Sequence, residues 1–132
     1  MNKMIVIIGS DHAALDLKKE IVQYLTLVGV QLIDVGTNSY DSCDYPKIAA
    51  EIIKAYRETR ASHVIALCGT GVGMANAITR YREIKSISLS HPSVIKKERL
   101  KGSINTLVLG GRTITFLIAK QCVDAFLGPV AN

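Results

Sequence analysis

Short runs of β-branched and aliphatic residues alternate with amphipathic stretches along the whole chain, and this alternation constrains the fold more than any other feature. The pattern is typical of a parallel sheet that helices cover on both faces. We therefore expect a single α/β domain over residues 1–132, a three-layer α/β/α sandwich with a five-stranded parallel sheet, Rossmann-like in arrangement. The predicted strands are Met4–Ile8, Gln31–Val35, His63–Leu67, Lys85–Leu89 and Thr106–Leu109.

Helical patterns fill the intervals between the predicted strands. Leu17, Ile21 and Leu25 recur at helical spacing, and Gly29 follows where that helix should end. The next predicted helix is Asp44–Thr59, with Pro46 in its first turn, where its missing N–H does no harm. The remaining predicted helices are Ala75–Tyr81, His91–Leu100 and Thr113–Leu127.

Composition excludes several classes of protein. Hydrophobic residues make up 48% of the chain with no Trp, so the core should be aliphatic. The net charge of +5 is scattered, which favours small phosphorylated or carboxylated ligands over nucleic acid. No apolar run approaches the roughly 18 residues of a membrane span, and the N-terminal run is interpreted as a strand, not a signal peptide. Three widely spaced cysteines show no metal or disulfide pattern, so we expect a cytoplasmic protein with reduced thiols and no metal site.

The position of the functional site follows from the predicted topology. In parallel α/β sheets, ligands bind beyond the carboxyl ends of the strands. The segments at that edge are Gly9–His12, Gly36–Thr37, Cys68–Gly73, Ser90–His91 and Gly110–Arg112.

The most distinctive of these segments is "CGTGVGM", Cys68–Met74. It matches neither the dinucleotide fingerprint nor the Walker loop. A glycine-rich turn before a helix still directs several N–H groups towards one point, which suits a phosphate or a transient oxyanion. The alternative is a tight strand-to-helix turn without a ligand.

Cys68 adds reactivity to this loop. The thiol pKa at such a position can fall below its usual ~8.5, which makes a thiolate available near neutral pH. A thiolate beside N–H donors can serve as a nucleophile or as a base that removes a proton from carbon, and the residues alone leave both roles open. We interpret Cys122 as a buried hydrophobe and assign no role to Cys43 in its polar loop.

Five segments together resemble the ribose-5-phosphate isomerase type B family, which includes the galactose-6-phosphate isomerase subunits. They follow the family's order and spacing across nearly the whole chain. These segments are "GSDHAALDLK" at Gly9–Lys18, "LIDVGT" at Leu32–Thr37, "DYP" at Asp44–Pro46, "CGTGVGM" at Cys68–Met74 and "NTLVLGGR" at Asn105–Arg112.

The resemblance implies an aldose–ketose isomerase that acts on ribose 5-phosphate or a related pentose or hexose phosphate through an enediolate, without a metal or organic cofactor. Cys68 matches the catalytic base, with Asp11 and Thr70 as further catalytic residues. Arg112 matches a phosphate-binding arginine, and the family forms dimers whose sites the neighbouring subunit completes. The resemblance also implies substrate binding by the sugar-site residues His12 and Tyr45 and by the loop amides of Gly69, Thr70, Gly71, Val72 and Gly73.

Each of these assignments has a structural alternative. Asp11 and His12 are also suited to capping the first helix. Tyr45 is suited to packing beside Pro46, and Arg112 to capping a helix or pairing with an acidic neighbour. We expect His63, at the start of a strand, to be structural.

The chain departs from the family pattern at two places. Where the family carries Arg-x-His-Asn, this chain keeps Arg99 but has Lys101 and Gly102 at the histidine and asparagine positions. We assign Lys101 to substrate binding, since a lysine binds phosphate as a point charge, and His91 is the alternative source of the missing imidazole. The sequence also ends at "FLGPVAN", without the basic tail that grips phosphate in many members.

Four functions follow from these observations. The first is an active isomerase that forms a homodimer or a larger homo-oligomer. The second is one subunit of a hetero-oligomer with a paralogue, as in galactose-6-phosphate isomerase. The third is a phosphosugar-binding protein without activity, and the fourth uses Cys68 as a covalent nucleophile, for which no paired histidine is identifiable.

Overall fold

The computed structural model describes residues 4–41 and 44–129. Its strands are β1 (Ile5–Ser10), β2 (Gln31–Gly36), β3 (His63–Cys68), β4 (Ser86–Ile87) and β5 (Thr106–Gly110). Its helices are α1 (Leu15–Leu27), α2 (Tyr45–Glu58), α3 (Val72–Ile78), α4 (Pro92–Lys101) and α5 (Phe116–Leu127), and a 3₁₀ turn, His12–Ala14, precedes α1.

All neighbouring strands pair in parallel, in the order β2-β1-β3-β5-β4. β1, β3 and β5 are buried almost throughout, because helices cover both of their faces. The side-chain period of two in a strand therefore supplies two separate cores. The five-stranded parallel sheet and the three-layer α/β/α class agree with the prediction from sequence.

One core lies between the sheet and α1, α4 and α5, and it includes Ile8, Leu67 and Phe126. The other lies between the sheet and α2 and α3, and it includes Ile7, Ala66 and Met74. Cys68 belongs to the second core because it lies on the same face of β3 as Val64 and Ala66, at every second position of the strand.

Several element boundaries differ from the prediction. α3 begins at Val72, three residues earlier than predicted, because Gly71 adopts a left-handed conformation that allows the turn directly before the helix. α5 begins three residues later, at Phe116, where the Thr115 side chain accepts a hydrogen bond from the Ile118 N–H. β4 has only two residues and pairs with β5 alone, as an edge strand can.

Candidate active site

The site is built around the end of β3. Cys68 is 4% exposed, and its Sγ accepts a hydrogen bond from the Met74 N–H at 3.4 Å. Since Met74 lies in the first turn of α3, the thiol faces an amide that has no acceptor within its own helix. The side chain of Cys68 thus points back towards the glycine loop that follows it.

The loop turns at Gly71, whose φ of +87° is a conformation that residues with a Cβ rarely adopt. Thr70 stabilises the turn, because its Oγ1 accepts a hydrogen bond from the Val72 N–H at 3.3 Å. The N–H groups of Thr70 and Gly73 have no acceptor within residues 4–41 and 44–129. Both residues line the cleft described below.

A second loop, Gly110–Arg112, lies beside the first. The Gly111 N–H donates to the Cys68 carbonyl and the Arg112 N–H donates to the Gly69 carbonyl, each at 2.8 Å. These bonds bring the Arg112 side chain to Gly69, so that its Nη1 lies 3.6 Å from where a Cβ of residue 69 would be. Among the residues that the structure describes, no carboxylate pairs with Arg112.

Asp11 and His12 enter the site from the end of β1. The Asp11 N–H donates to the Leu67 carbonyl at 3.2 Å, which ties this segment to β3. The Asp11 Oδ1 accepts the Ala13 N–H at 3.0 Å, so Asp11 caps the 3₁₀ turn that leads into α1, whereas the structural alternative had it cap the helix itself. Asp11 also lines the cleft, and capping and lining therefore coexist at one residue.

Tyr45 forms the opposite wall. It is the first residue of α2 and is 42% exposed. Its ring lies against the backbone of Gly73, with Cε1 only 2.8 Å from where a Cβ of residue 73 would be. Tyr45 thus packs on the glycine loop and also lines the cleft.

These segments enclose an open cleft of about 260 Å³ at the carboxyl edge of the sheet. Most of the residues that we assigned to the site meet there, together with Ala13, to which we assigned no role. The lining residues are Asp11, His12, Ala13, Tyr45, Cys68, Gly69, Thr70, Gly73 and Arg112.

Three of the predicted site residues do not line this cleft. Gly71 is buried within the loop. Val72 is 63% exposed, and its N–H donates to the Thr70 hydroxyl. Lys101 ends α4 near the edge where the strands begin, and its Nζ contacts Glu98 at 3.5 Å. Lys101 therefore lies outside the cleft of its own chain.

Two histidines and a cysteine that the sequence analysis discussed do not line the cleft. His91 is exposed and precedes α4 without lining the cleft. The Cys122 thiol is buried in α5, and burial raises its pKa, which agrees with the interpretation as a hydrophobe. His63 packs its ring edge-on against Phe126, as a structural residue would. Cys43 lies outside the described residues.

Within residues 4–41 and 44–129, no helix combines the length and apolar character needed to cross a bilayer. The same residues contain no group of three or more His, Cys, Asp or Glu side chains arranged to hold a metal ion.

The fold and this cleft define a sugar phosphate isomerase, as comparison with known proteins shows. The chain belongs to the Ribose/Galactose Isomerase family, whose model matches residues 6–131. Ribose-5-phosphate isomerase B of Escherichia coli is 37% identical over 120 residues, which are 91% of this chain and 80% of that protein.

Other relatives extend this likeness. The crystal structure of a ribose 5-phosphate isomerase from Thermotoga maritima superimposes with a TM-score of 0.90 at 37% identity, covering 98% of this chain and 89% of that one. The D-erythrulose-4-phosphate isomerase of Pectobacterium atrosepticum is 30% identical over 126 residues, which cover 92% of this chain and 81% of that protein.

Proposed function

We propose that this chain interconverts an aldose phosphate and a ketose phosphate, ribose 5-phosphate or a related pentose or hexose phosphate, with Cys68 as the base. One observation carries the proposal: the Cys68 thiol lines the same cleft as the glycine loop and Arg112. A binding protein would need the amides and the arginine but would have no use for a thiol at that point.

The reaction is a proton transfer between adjacent carbons. The Cys68 thiolate takes the C2 proton of the open-chain aldose, and the C–H electron pair becomes the C1–C2 double bond of an enediolate. The carbonyl electrons move onto O1. The Cys68 thiol then returns the proton to C1, while the O2 proton passes to O1 and leaves the C2 carbonyl of the ketose.

The glycine loop supplies donors for the developing charge. The Thr70 and Gly73 N–H groups have no acceptor within the described residues and border the cleft. The Thr70 hydroxyl oxygen accepts the Val72 N–H, so the hydrogen of that hydroxyl can donate to a substrate oxygen. Removal of one such donor costs roughly 3 kcal/mol of transition-state stabilisation in other oxyanion sites.

The remaining cleft residues suit the two ends of a phosphorylated sugar. The carboxylate of Asp11 keeps acceptor capacity beyond its bond to the Ala13 N–H, which suits a sugar hydroxyl. His12 and Tyr45 add polar groups along the walls. Arg112 binds the phosphate, because its planar guanidinium matches phosphate oxygens in a bidentate manner.

Lys101 would reach the phosphosugar from a second subunit. It lies outside the cleft of its own chain, and its side chain is 57% exposed. We place it in the site of a homodimer, where it would contact the phosphate. Mixing inactive Cys68→Ala and Lys101→Ala proteins should then restore activity, because a mixed dimer contains one site with both residues intact. Two inactive proteins that stay inactive after exchange of subunits would exclude this arrangement.

The main test is a panel of tetrose, ribose, allose and galactose phosphates, assayed for isomerisation and for exchange of the substrate proton with deuterated solvent. Cys68→Ala should abolish both signals while the protein stays folded. Cys122→Ala is the matched control, because it removes a buried thiol from the core on the other face of the sheet and should keep the activity. Proton exchange that persists in Cys68→Ala would remove Cys68 from the role of base.

A further inference from the structure

Lys18 is a lysine in the first turn of α1 with no role in the proposed chemistry. It is completely buried, and its side chain is 1% exposed. Lysines are almost never fully buried unless they are paired, because the loss of ammonium hydration must be compensated. The partners of Lys18 therefore show what its burial achieves.

All three ammonium hydrogens of Lys18 have acceptors. Nζ lies 2.6 Å from Asp34 Oδ1, 2.6 Å from the Thr37 carbonyl oxygen and 3.1 Å from Asn38 Oδ1. Asp34 belongs to β2, whereas Thr37 and Asn38 begin the connection from β2 to α2. One side chain of α1 thus holds β2 at one point and the start of that connection at two.

Two neighbours of Lys18 on α1 reinforce the attachment through Tyr40. The Tyr40 hydroxyl donates to Asp16 Oδ1 at 2.6 Å, and Lys19 Nζ donates to the same hydroxyl at 3.2 Å. The Lys19 ammonium also lies 4.7 Å from the centre of the Tyr40 ring. These contacts are exposed, whereas those of Lys18 are partly buried, with the ammonium itself shielded from water, and are the stronger for it.

The two bodies that Lys18 joins carry the two walls of the cleft. The segment before α1 carries Asp11 and His12, and α2, which follows the β2–α2 connection, begins with Tyr45. We propose that Lys18 is a positioning residue that sets the distance between these walls and thereby the affinity for the sugar. This inference rests on the proposed function, since it assigns a role in the same cleft.

The test separates positioning from stability through substrate kinetics. Lys18→Met keeps an unbranched side chain that is one atom shorter and removes the three hydrogen bonds. With the best substrate of the phosphosugar panel, KM should rise about tenfold, because a tenfold loss of affinity corresponds to about the free energy of one hydrogen bond. The kcat should change less than about threefold. The matched control is Lys54→Met, an exposed lysine of α2, which should keep the KM of the parent protein.

A second background gives a readout that a general loss of stability would not produce. If Lys18 acts by holding the Tyr45 wall, Lys18→Met should raise KM little in a Tyr45→Ala protein, where that wall is already missing. Asp34→Asn removes the charge of the pair but keeps an oxygen that accepts the Lys18 hydrogen, so KM should rise less than in Lys18→Met. Equal KM increases in both Tyr45 backgrounds, or no increase in either, would overturn the proposal.

Because Lys18→Met should also lower the free energy of unfolding, Asn38→Ala serves as the second variant. Asn38 is exposed, and its loss removes one of the three acceptors. A KM increase that requires Tyr45 supports the proposal, and an unchanged KM overturns it.

Hydrogen exchange makes the test independent of activity. In Lys18→Met, exchange should rise in residues 37–41 and around Tyr45 but not in the glycine loop. Unchanged exchange at both places would overturn the role of Lys18. A parent protein that turns over no phosphosugar would refute the proposed function while this exchange result still decides whether Lys18 holds the wall.

Discussion

Gly73 gives the sharpest prediction, because adding one methyl group there should affect stability and substrate binding in different ways. Gly73 lies in the first turn of α3, and its φ is not in the left-handed region. The Tyr45 ring occupies the space of a Cβ, with Cε1, Cζ and Cδ1 at 2.8, 3.0 and 3.1 Å. Gly73→Ala therefore leaves the backbone unstrained but displaces the ring.

The magnitudes follow from these distances. To reach ordinary contact, the ring must withdraw by about half an ångström. It can do so because Tyr45 is 42% exposed and borders open space. The entropic gain of replacing a helical glycine by alanine, about 0.4–1 kcal/mol, offsets part of this cost. We expect the free energy of unfolding to change by less than about 1 kcal/mol.

Substrate binding should be more sensitive. Since a misplacement of 1 Å can cost on the order of 100-fold in activity, half that displacement at a cleft wall should raise KM several-fold to about tenfold. Urea denaturation measures the stability, and steady-state isomerisation measures KM. The control is Gly73→Ala in a Tyr45→Ala protein, where the methyl group meets no ring and KM should no longer change.

Two outcomes would refute this reasoning. A loss of more than about 2 kcal/mol in Gly73→Ala would show that the ring cannot withdraw. An unchanged KM in the same variant would show that the position of Tyr45 does not matter to the substrate.

Three further predictions concern backbone conformation and charge. Gly71→Ala should lower the free energy of unfolding by about 1–2 kcal/mol, because its φ is +87° while the nearest atoms to a new Cβ stand 3.4–3.6 Å away; a loss below 0.5 kcal/mol by urea denaturation would contradict this. Burial, assisted by Arg99, lowers the pKa of His63, so below about pH 6.5 the unfolded chain takes up a proton that the folded one refuses. Lowering the pH below about 6.5 should therefore reduce the free energy of unfolding by at most about 1.4 kcal/mol per pH unit. The decrease should be less steep in His63→Gln, and equal slopes in thermal denaturation would exclude His63 as the source. Gly128→Ala should lower the free energy of unfolding in urea denaturation by more than about 2 kcal/mol, because φ is +74° and a Cβ would overlap Nη1 of Arg99. Arg99→Ala should recover part of this loss, and no recovery would exclude the overlap as a cause.

The parallel sheet was predictable because its cause is local in the sequence. A strand that is buried on both faces must be apolar along its length, so β1, β3 and β5 are recognisable one at a time. The rule that parallel strands end at one edge then predicts that Cys68, Asp11 and Arg112 lie at the same edge. The edge strand β4 was predicted too long, because apolar residues such as Leu89 also occur beyond the reach of β5.

The sequence by itself determined which chemical groups lie at the carboxyl edge, because hydrophobic periodicity indicates the order of the strands and glycine positions indicate the turns that follow them. Tertiary structure alone decided which of those groups meet. Lys101 carries a suitable charge but ends a helix near the opposite edge of its own chain. Lys18 received no role of its own from the sequence, yet it holds Asp34 and the β2–α2 connection, because its partners lie 16 to 20 residues away in sequence. Such contacts depend on how helices pack on the sheet, and local sequence does not encode that packing.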